Sequence, residues 1–199
     1  MTKRKPIPKT RYHRYARPTV IVLGDGPTEQ AYIDRLKELD YFSNVHLKFE
    51  TGNEENFETK LKEHTNNPHV LVIIDVDNVQ SGNKRFEEIK RLSSTKAYIK
   101  NIYFNNYSFE TWLLNHKMYY ARPITNPIHY NSDMFTCFNV ESWYTNKSIQ
   151  NRQKIVALIS MSEINLATQN IKSMNQKSPF NNPSSNMDKW VEHIKTIRK

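Results

Sequence analysis

One cysteine and four glycines are all that 199 residues contain of these two types. The lone Cys137 excludes an intramolecular disulfide and offers no thiolate cluster for zinc, so a reducing, cytoplasmic setting is expected. No apolar run approaches the roughly 20 residues needed to span a bilayer, which argues against a membrane partner. The N-terminal stretch lacks the continuous apolar segment of roughly 7 to 15 residues that a secretory signal carries. There is no internal repeat, no low-complexity tract and no mid-chain linker, so the expectation is one domain over residues 18–199, preceded by an arm.

Acidic residues are missing altogether from that arm, residues 1–17. It holds Lys3, Arg4, Lys5, Lys9, Arg11, Arg14 and Arg17 out of a total of 29 basic residues, and the chain as a whole has a formal charge of +9. The rest is nearly balanced, so the basic character is local. Tyr12, His13 and Tyr15 are interleaved with the charges, a composition suited to displacing counterions from a nucleic-acid backbone and stacking on its bases. A solvated terminus has the same composition.

Two of the four glycines fall in one short stretch, TVIVLGDGPTEQAYIDRL, residues 19–36. A β-branched apolar run at 19–24 is followed by Gly, Asp and Pro, and then Tyr32, Ile33, Leu36 and Leu39 recur at helical spacing. This predicts a strand, a sharp turn made possible by Gly24 and Gly26, and a helix starting near Pro27 or Thr28. The alternation continues with a strand over 44–50, a polar helix over 54–65, a doubly buried strand over 69–75, a helix over 83–94 and a strand over 97–104. Such a β-α series predicts an α/β fold with a parallel, Rossmannoid sheet over about 18–118. A helix is expected over 108–120. Residues 121–146 give no clean period, and the irregular segment and helical cap expected over 119–199 contain helices near 147–160 and 163–176. A last helix presents Met187, Trp190, Val191, Ile194 and Ile197 on one face.

Ligands of open parallel sheets collect beyond the carboxyl ends of the strands, at the point where connections leave in opposite directions. Asp25 follows the first strand and Asp75 ends the third, so neighbouring placement of those strands brings Asp25, Asp75 and Asp77 to one edge. In an extended backbone residues 75 and 77 point the same way. Three carboxylates suit Mg²⁺ or Mn²⁺, which retain waters and substrate phosphates at their other positions. Asp and Asn after strands are also ordinary turn residues. A helix N-terminus at Pro27 would attract an anion such as phosphate. Glu29 in its first turn is either a dipole-complementing acid or a ligand of the site.

These stretches resemble a known family. VLGDGPTEQAYI is similar to the Glu-Gly-x-Thr-Glu turn, and VIIDVDN to the Asp-x-Asp strand end, of the TOPRIM fold shared by topoisomerases, primases and OLD-type nucleases. IYFNNYSFETWLLNH resembles the Ser-Asn-Pro-x-Phe-Glu-x-Trp-Leu-Leu-x-His segment of the RloB (AbiLii-like) family, and NNPSSNMDKWVEHI its C-terminal Asn-Pro-Ser-Thr helix start. The resemblance implies a TOPRIM-like sheet with a helical C-terminal extension. It also implies a bacterial anti-phage component encoded beside an ABC- or AAA-type ATPase, acting as a metal-dependent nuclease or toxin. Asp25, Asp75, Asp77 and Glu110 then take the places of the metal-binding acids for Mg²⁺ or Mn²⁺, with Glu29 beside them in the catalytic set and Asp25 as acid/base. Nucleic acid, DNA or RNA, is the expected partner, with the ATPase as a second and a homodimer as an assembly to test.

Asp25 stands where TOPRIM proteins usually carry Glu and reaches about 1.5 Å less far. This sustains an alternative, a catalytically degenerate TOPRIM module that binds nucleic acid or the ATPase without cleaving. The DVDNV stretch also resembles the nucleophile motif of haloacid-dehalogenase-type phosphatases, but the order of motifs along the chain opposes that reading. Tyrosines are scattered without a distinguishing context, so topoisomerase chemistry is not expected. His116 follows Glu110 by six residues, roughly 240° around a helix, and is expected to be structural.

Overall fold

The computed structural model describes residues 16–52, 57–77, 84–96, 99–174, 178 and 180–198. Nearly all of the basic arm therefore lies outside the described residues. Five strands form one sheet: β1 (Thr19–Gly24), β2 (His46–Thr51), β3 (Val70–Asp75), β4 (Ile102–Asn106) and β5 (Ser184–Ser185). Their spatial order is β2-β1-β3-β4-β5, with the first four parallel and the short β5 antiparallel to β4. The expected neighbourhood of the first and third strands is present, with Ile21 opposite Val70 and Leu23 opposite Val72.

β1 and β3 alternate between two buried faces, as expected of strands covered on both sides. Val20, Val22, Leu71, Ile73 and Tyr103 join one core, and Ile21, Leu23, Val70, Val72, Ile74, Ile102 and Phe104 the other. The second core is closed by α2 (Phe57–Glu63) through Phe57 and Leu61, and by α3 (Lys84–Ser94) through Ile89 and Leu92. The first is covered by α1 (Pro27–Glu38), α4 (Glu110–Asn115), α5 (Tyr130–Phe138), α6 (Ile149–Ala157), α7 (Met161–Ser173) and α8 (Met187–Thr196). Trp112, Trp143 and Trp190 are fully buried in it, and each such side chain contributes about 1.5–3 kcal/mol by burial.

The chain leaves β1 over one face toward β2 and leaves β3 over the other toward β4. Right-handed crossovers with helices on opposite faces produce this reversal, and the carboxyl ends of β1 and β3 flank it. The region gives an α/β, Rossmann-like sheet with its crevice where the acids were expected.

Several elements differ from the sequence reading. The strand expected over 97–104 starts later and ends at Asn106: Ile99–Asn101 make a 3₁₀ turn, β4 is Ile102–Asn106, and pairing runs from Val72 opposite Ile102 to Asp75 opposite Asn105. The helix expected over 108–120 is only Glu110–Asn115. Asn115 ends it by turning its amide to Thr111 O (2.7 Å) and Tyr120 O (3.2 Å) while accepting from Tyr120 N (3.1 Å). The irregular stretch contains a 3₁₀ turn at Pro127–His129, introduced by an Asn126 cap, and then α5. β5, Ser184–Ser185, lies in the NNPSSN stretch that leads into the last helix and has no counterpart in the sequence reading.

The break expected between the two late helices falls at Ser160, whose hydroxyl accepts from Glu163 N (3.4 Å) while Glu163 Oε2 accepts from Ser160 N (2.7 Å). This reciprocal capping box starts α7.

Candidate active site

Gly24 closes β1, opposite Thr51. A Cβ at this position would lie 2.7 Å from Phe49 Cε2 and 3.3 Å from Glu29 Cβ, so glycine is needed for close packing. Gly26 precedes α1 with φ of −168°, an extended conformation open to any residue. The sharp-turn role expected of the two glycines is thus replaced by close approach at Gly24. Pro27 is the first helical residue, as expected, because its missing N–H would have no helical partner there.

Asp25 follows immediately, and its Oδ2 accepts a hydrogen bond from Asp75 N at 3.1 Å. This bond ties the ends of β1 and β3 together. Asp75 continues the odd-numbered series of Leu71 and Ile73, so its side chain lies on the face covered by α1 and α4. The extended geometry expected to align it with Asp77 stops there. Asp77 is exposed, has a left-handed φ of 49°, and donates its N–H to Tyr107 O at 2.7 Å. Its charge still acts on Asp75.

Glu29 in the first turn of α1 and Glu110 at the start of α4 are both buried. Each helix begins just beyond a strand end, α1 after β1 and α4 after β4. Glu110 Oε2 accepts from Ser108 Oγ at 2.5 Å and Oε1 from Trp143 Nε1 at 2.7 Å. Oε1 also pairs with Lys147 Nζ at 2.6 Å. The Lys147 ammonium lies 5.7 Å from the centroid of the Trp143 ring, within cation–π range.

Burial pushes the Glu29 carboxyl up to about 7. Its own backbone N–H and Lys147 oppose the rise, and Asp25 and Glu110 add to it. Burial, followed by the charges of Glu29, Asp25, Glu110 and Asp77, holds Asp75 well above the carboxylate range. Burial acts the same way on Glu110, but the Lys147 charge and the hydrogen bonds from Lys147, Ser108 and Trp143 outweigh it and keep this acid below its usual value. One carboxylate is thus held ionised while its neighbours resist ionisation, a separation typical of sites that both bind charge and carry protons.

A family model described as RloB-like protein matches residues 19–194. The chain belongs to the RloB-like family. No curated protein matches it, and no solved structure does. The RloB-like span includes Asp25, Glu29, Asp75, Asp77 and Glu110, together with Trp143 and Lys147. Among the described residues no three His, Cys, Asp or Glu side chains form a ready-made metal cage. Glu110 of this RloB-like chain instead faces an ammonium group.

Trp143 and Lys147 were not legible as site residues. Trp143 lies within the stretch without periodicity and Lys147 directly after it, and Trp143 is 33 positions from Glu110 in the sequence. His116 is in the core of the RloB-like fold, with Nδ1 2.9 Å from Trp112 O and Nε2 3.1 Å from Tyr32 OH. Burial lowers it to about 4, so it is neutral at physiological pH and lies apart from the acids.

Proposed function

We propose that this RloB-like protein is a cytoplasmic, metal-dependent nuclease of TOPRIM type, the effector of a phage-defence system in which an ATPase is its partner. The observation that carries the reading is the gathering of Asp25, Glu29, Asp75 and Glu110 at the carboxyl ends of β1, β3 and β4, close enough to perturb one another's protonation. Such a density of buried oxygen donors is costly without a compensating cation. The donor set fits Mg²⁺ or Mn²⁺, which favour carboxylate oxygens.

Asp75, Asp77 and Glu110, with Asp25, would hold the ion. When bound it supplies charge neutralisation at a scissile phosphate and a more acidic water. Glu29, pushed up to about 7, is poised to accept and return a proton near neutral pH. It takes over the acid/base role that the resemblance gives to Asp25, whose Oδ2 is engaged by Asp75 N. The positive N-terminal end of α1, which faces the crevice, would attract the phosphate.

The Asp25–Asp75 contact also favours a second reading. A carboxylate spent on tying two strands together suits a degenerate module that binds nucleic acid or the ATPase without cleaving.

The deciding experiment is cleavage of tRNA, single-stranded DNA and supercoiled plasmid with Mg²⁺ or Mn²⁺, alone and with the ATPase, beside an Asp75→Ala, Asp77→Ala control. Metal-dependent cutting lost in the control is expected. No cutting under either condition overturns the nuclease reading in favour of the binding module. Deleting residues 2–17 should weaken nucleic-acid binding and flatten its salt dependence.

A further inference from the structure

Glu110 is a prospective metal ligand whose oxygens are already engaged. Ser108 and Trp143 are neutral donors anchored in the core, whereas Lys147 is a cation reaching in from the edge of the site. Its side chain is 37% exposed, against 2% for Glu110. It stands one residue before Ser148, whose hydroxyl accepts from Asn151 N to cap α6. The backbone below it is therefore fixed, while the four-carbon stem is free to change rotamer. Its charge acts beyond Glu110, since Glu29 and Asp75 also feel it. Lys147 thus supplies, from within the chain, the compensation that a cluster of buried carboxylates requires.

We propose that Lys147 is a tethered counter-cation that holds Glu110 while the site is metal-free and yields that carboxylate to a divalent ion. The inference rests on the metal-binding reading above. Magnesium bonds its oxygen ligands at about 2.0–2.1 Å, and an ammonium on the same carboxylate oxygen would sit only a few ångströms from the dication. The two charges repel strongly at that separation. Lys147 therefore competes with the ion and sets the concentration at which the site fills. Trp143 and Ser108 keep Glu110 aimed into the cluster through the exchange.

The test is Mn²⁺ titration of the full chain, read by electron paramagnetic resonance of free Mn²⁺, for wild type, Lys147→Gln, Lys147→Met and Lys147→Arg. Removing the charge should tighten Mn²⁺ binding about tenfold or more. Lys147→Gln can still donate to Glu110 and so guards against misfolding of Lys147→Met, whereas Lys147→Arg should bind as wild type does. In chelator, both neutral variants should melt below wild type, and Mn²⁺ should raise their melting temperatures more than it raises that of wild type. Equal or weaker Mn²⁺ binding by the neutral variants, beside a wild type that binds, overturns the role of Lys147 and leaves the metal site standing. Binding by the neutral variants alone supports it. Absence of binding in every variant removes the metal-binding reading and this inference together.

Discussion

Replacing Glu29 by Gln tests the electrostatic account of the site through stability, without any substrate. The carboxyl of Glu29 moves from an ordinary 4.5 to about 7 on folding, chiefly because it is buried. The folded state therefore binds the proton more tightly than the unfolded chain does. Stability from this group is complete below pH 4.5 and is lost as pH rises through about 7. At about 1.4 kcal/mol for each unit of displacement, the loss is roughly 3 kcal/mol. Glutamine has nearly the same shape and cannot ionise, so the variant escapes the loss. Its stability relative to wild type should improve by roughly 3 kcal/mol between the acid and alkaline ends of that window, or some 6–12 °C in melting temperature at 2–4 °C per kcal/mol. Glu29 also helps to raise Asp75, so the residual pH dependence of the variant should be shallower still. Urea unfolding in chelator at acid and alkaline pH measures both quantities. A wild-type-to-variant difference that does not change with pH, or that moves toward wild type in alkali, would refute the buried-acid reasoning.

Three further perturbations have expected outcomes. Gly24→Ala places a methyl group against the Phe49 ring and should cost about 1–3 kcal/mol in urea unfolding, part of it recovered by Phe49→Leu in a double-mutant cycle. Trp143→Phe keeps an aromatic ring but removes the N–H that donates to Glu110 at 2.7 Å. The expected loss is about 1.5–3 kcal/mol, the range for a hydrogen bond to a charged group, and calorimetric melting checks it. Ser160→Ala breaks the capping box of α7 and should cost about 1 kcal/mol, with the largest rise in amide exchange in the first turn of that helix.

The legible part of this chain is the part where local pattern and tertiary role coincide. β1 and β3 are buried on both faces, so their apolar runs announce strands, and the acids that end those runs mark the crevice without reference to any distant residue. The helix after Pro27 is equally local, since Pro at its first position and apolar residues at helical spacing both point to it. β4 was misplaced because Asn105 and Asn106 do not resemble strand residues. They pair because Ser184 and Ser185 arrive from far along the chain as β5, and the Asn105 side chain accepts from Ser185 Oγ at 2.9 Å. Asp77 was expected in line with Asp75 because alternation was carried past the point where the strand ends. The strand end at Asp75 was legible in the sequence, whereas the left-handed conformation of Asp77 beyond it has no local signal.

The same distinction explains why half of the site around Glu110 was invisible. Glu110 reads locally as a first-turn acid, and its ionised state is maintained by Trp143 and Lys147, which reach it only through the packing of α4 against α5 and the turn before α6. At the same burial but without Trp143 and Lys147, Glu110 would keep Ser108 as its one partner from this set, and burial would drive the carboxyl toward its neutral form. A protonated Glu110 could neither hold a cation nor repel Glu29 and Asp75. The chain after residue 118 therefore does more than cover an apolar face. Its turn before α6 supplies the charge that keeps one acid ionised among neighbours that resist ionisation, and this places the acid cluster at the junction of the sheet and its helical cover.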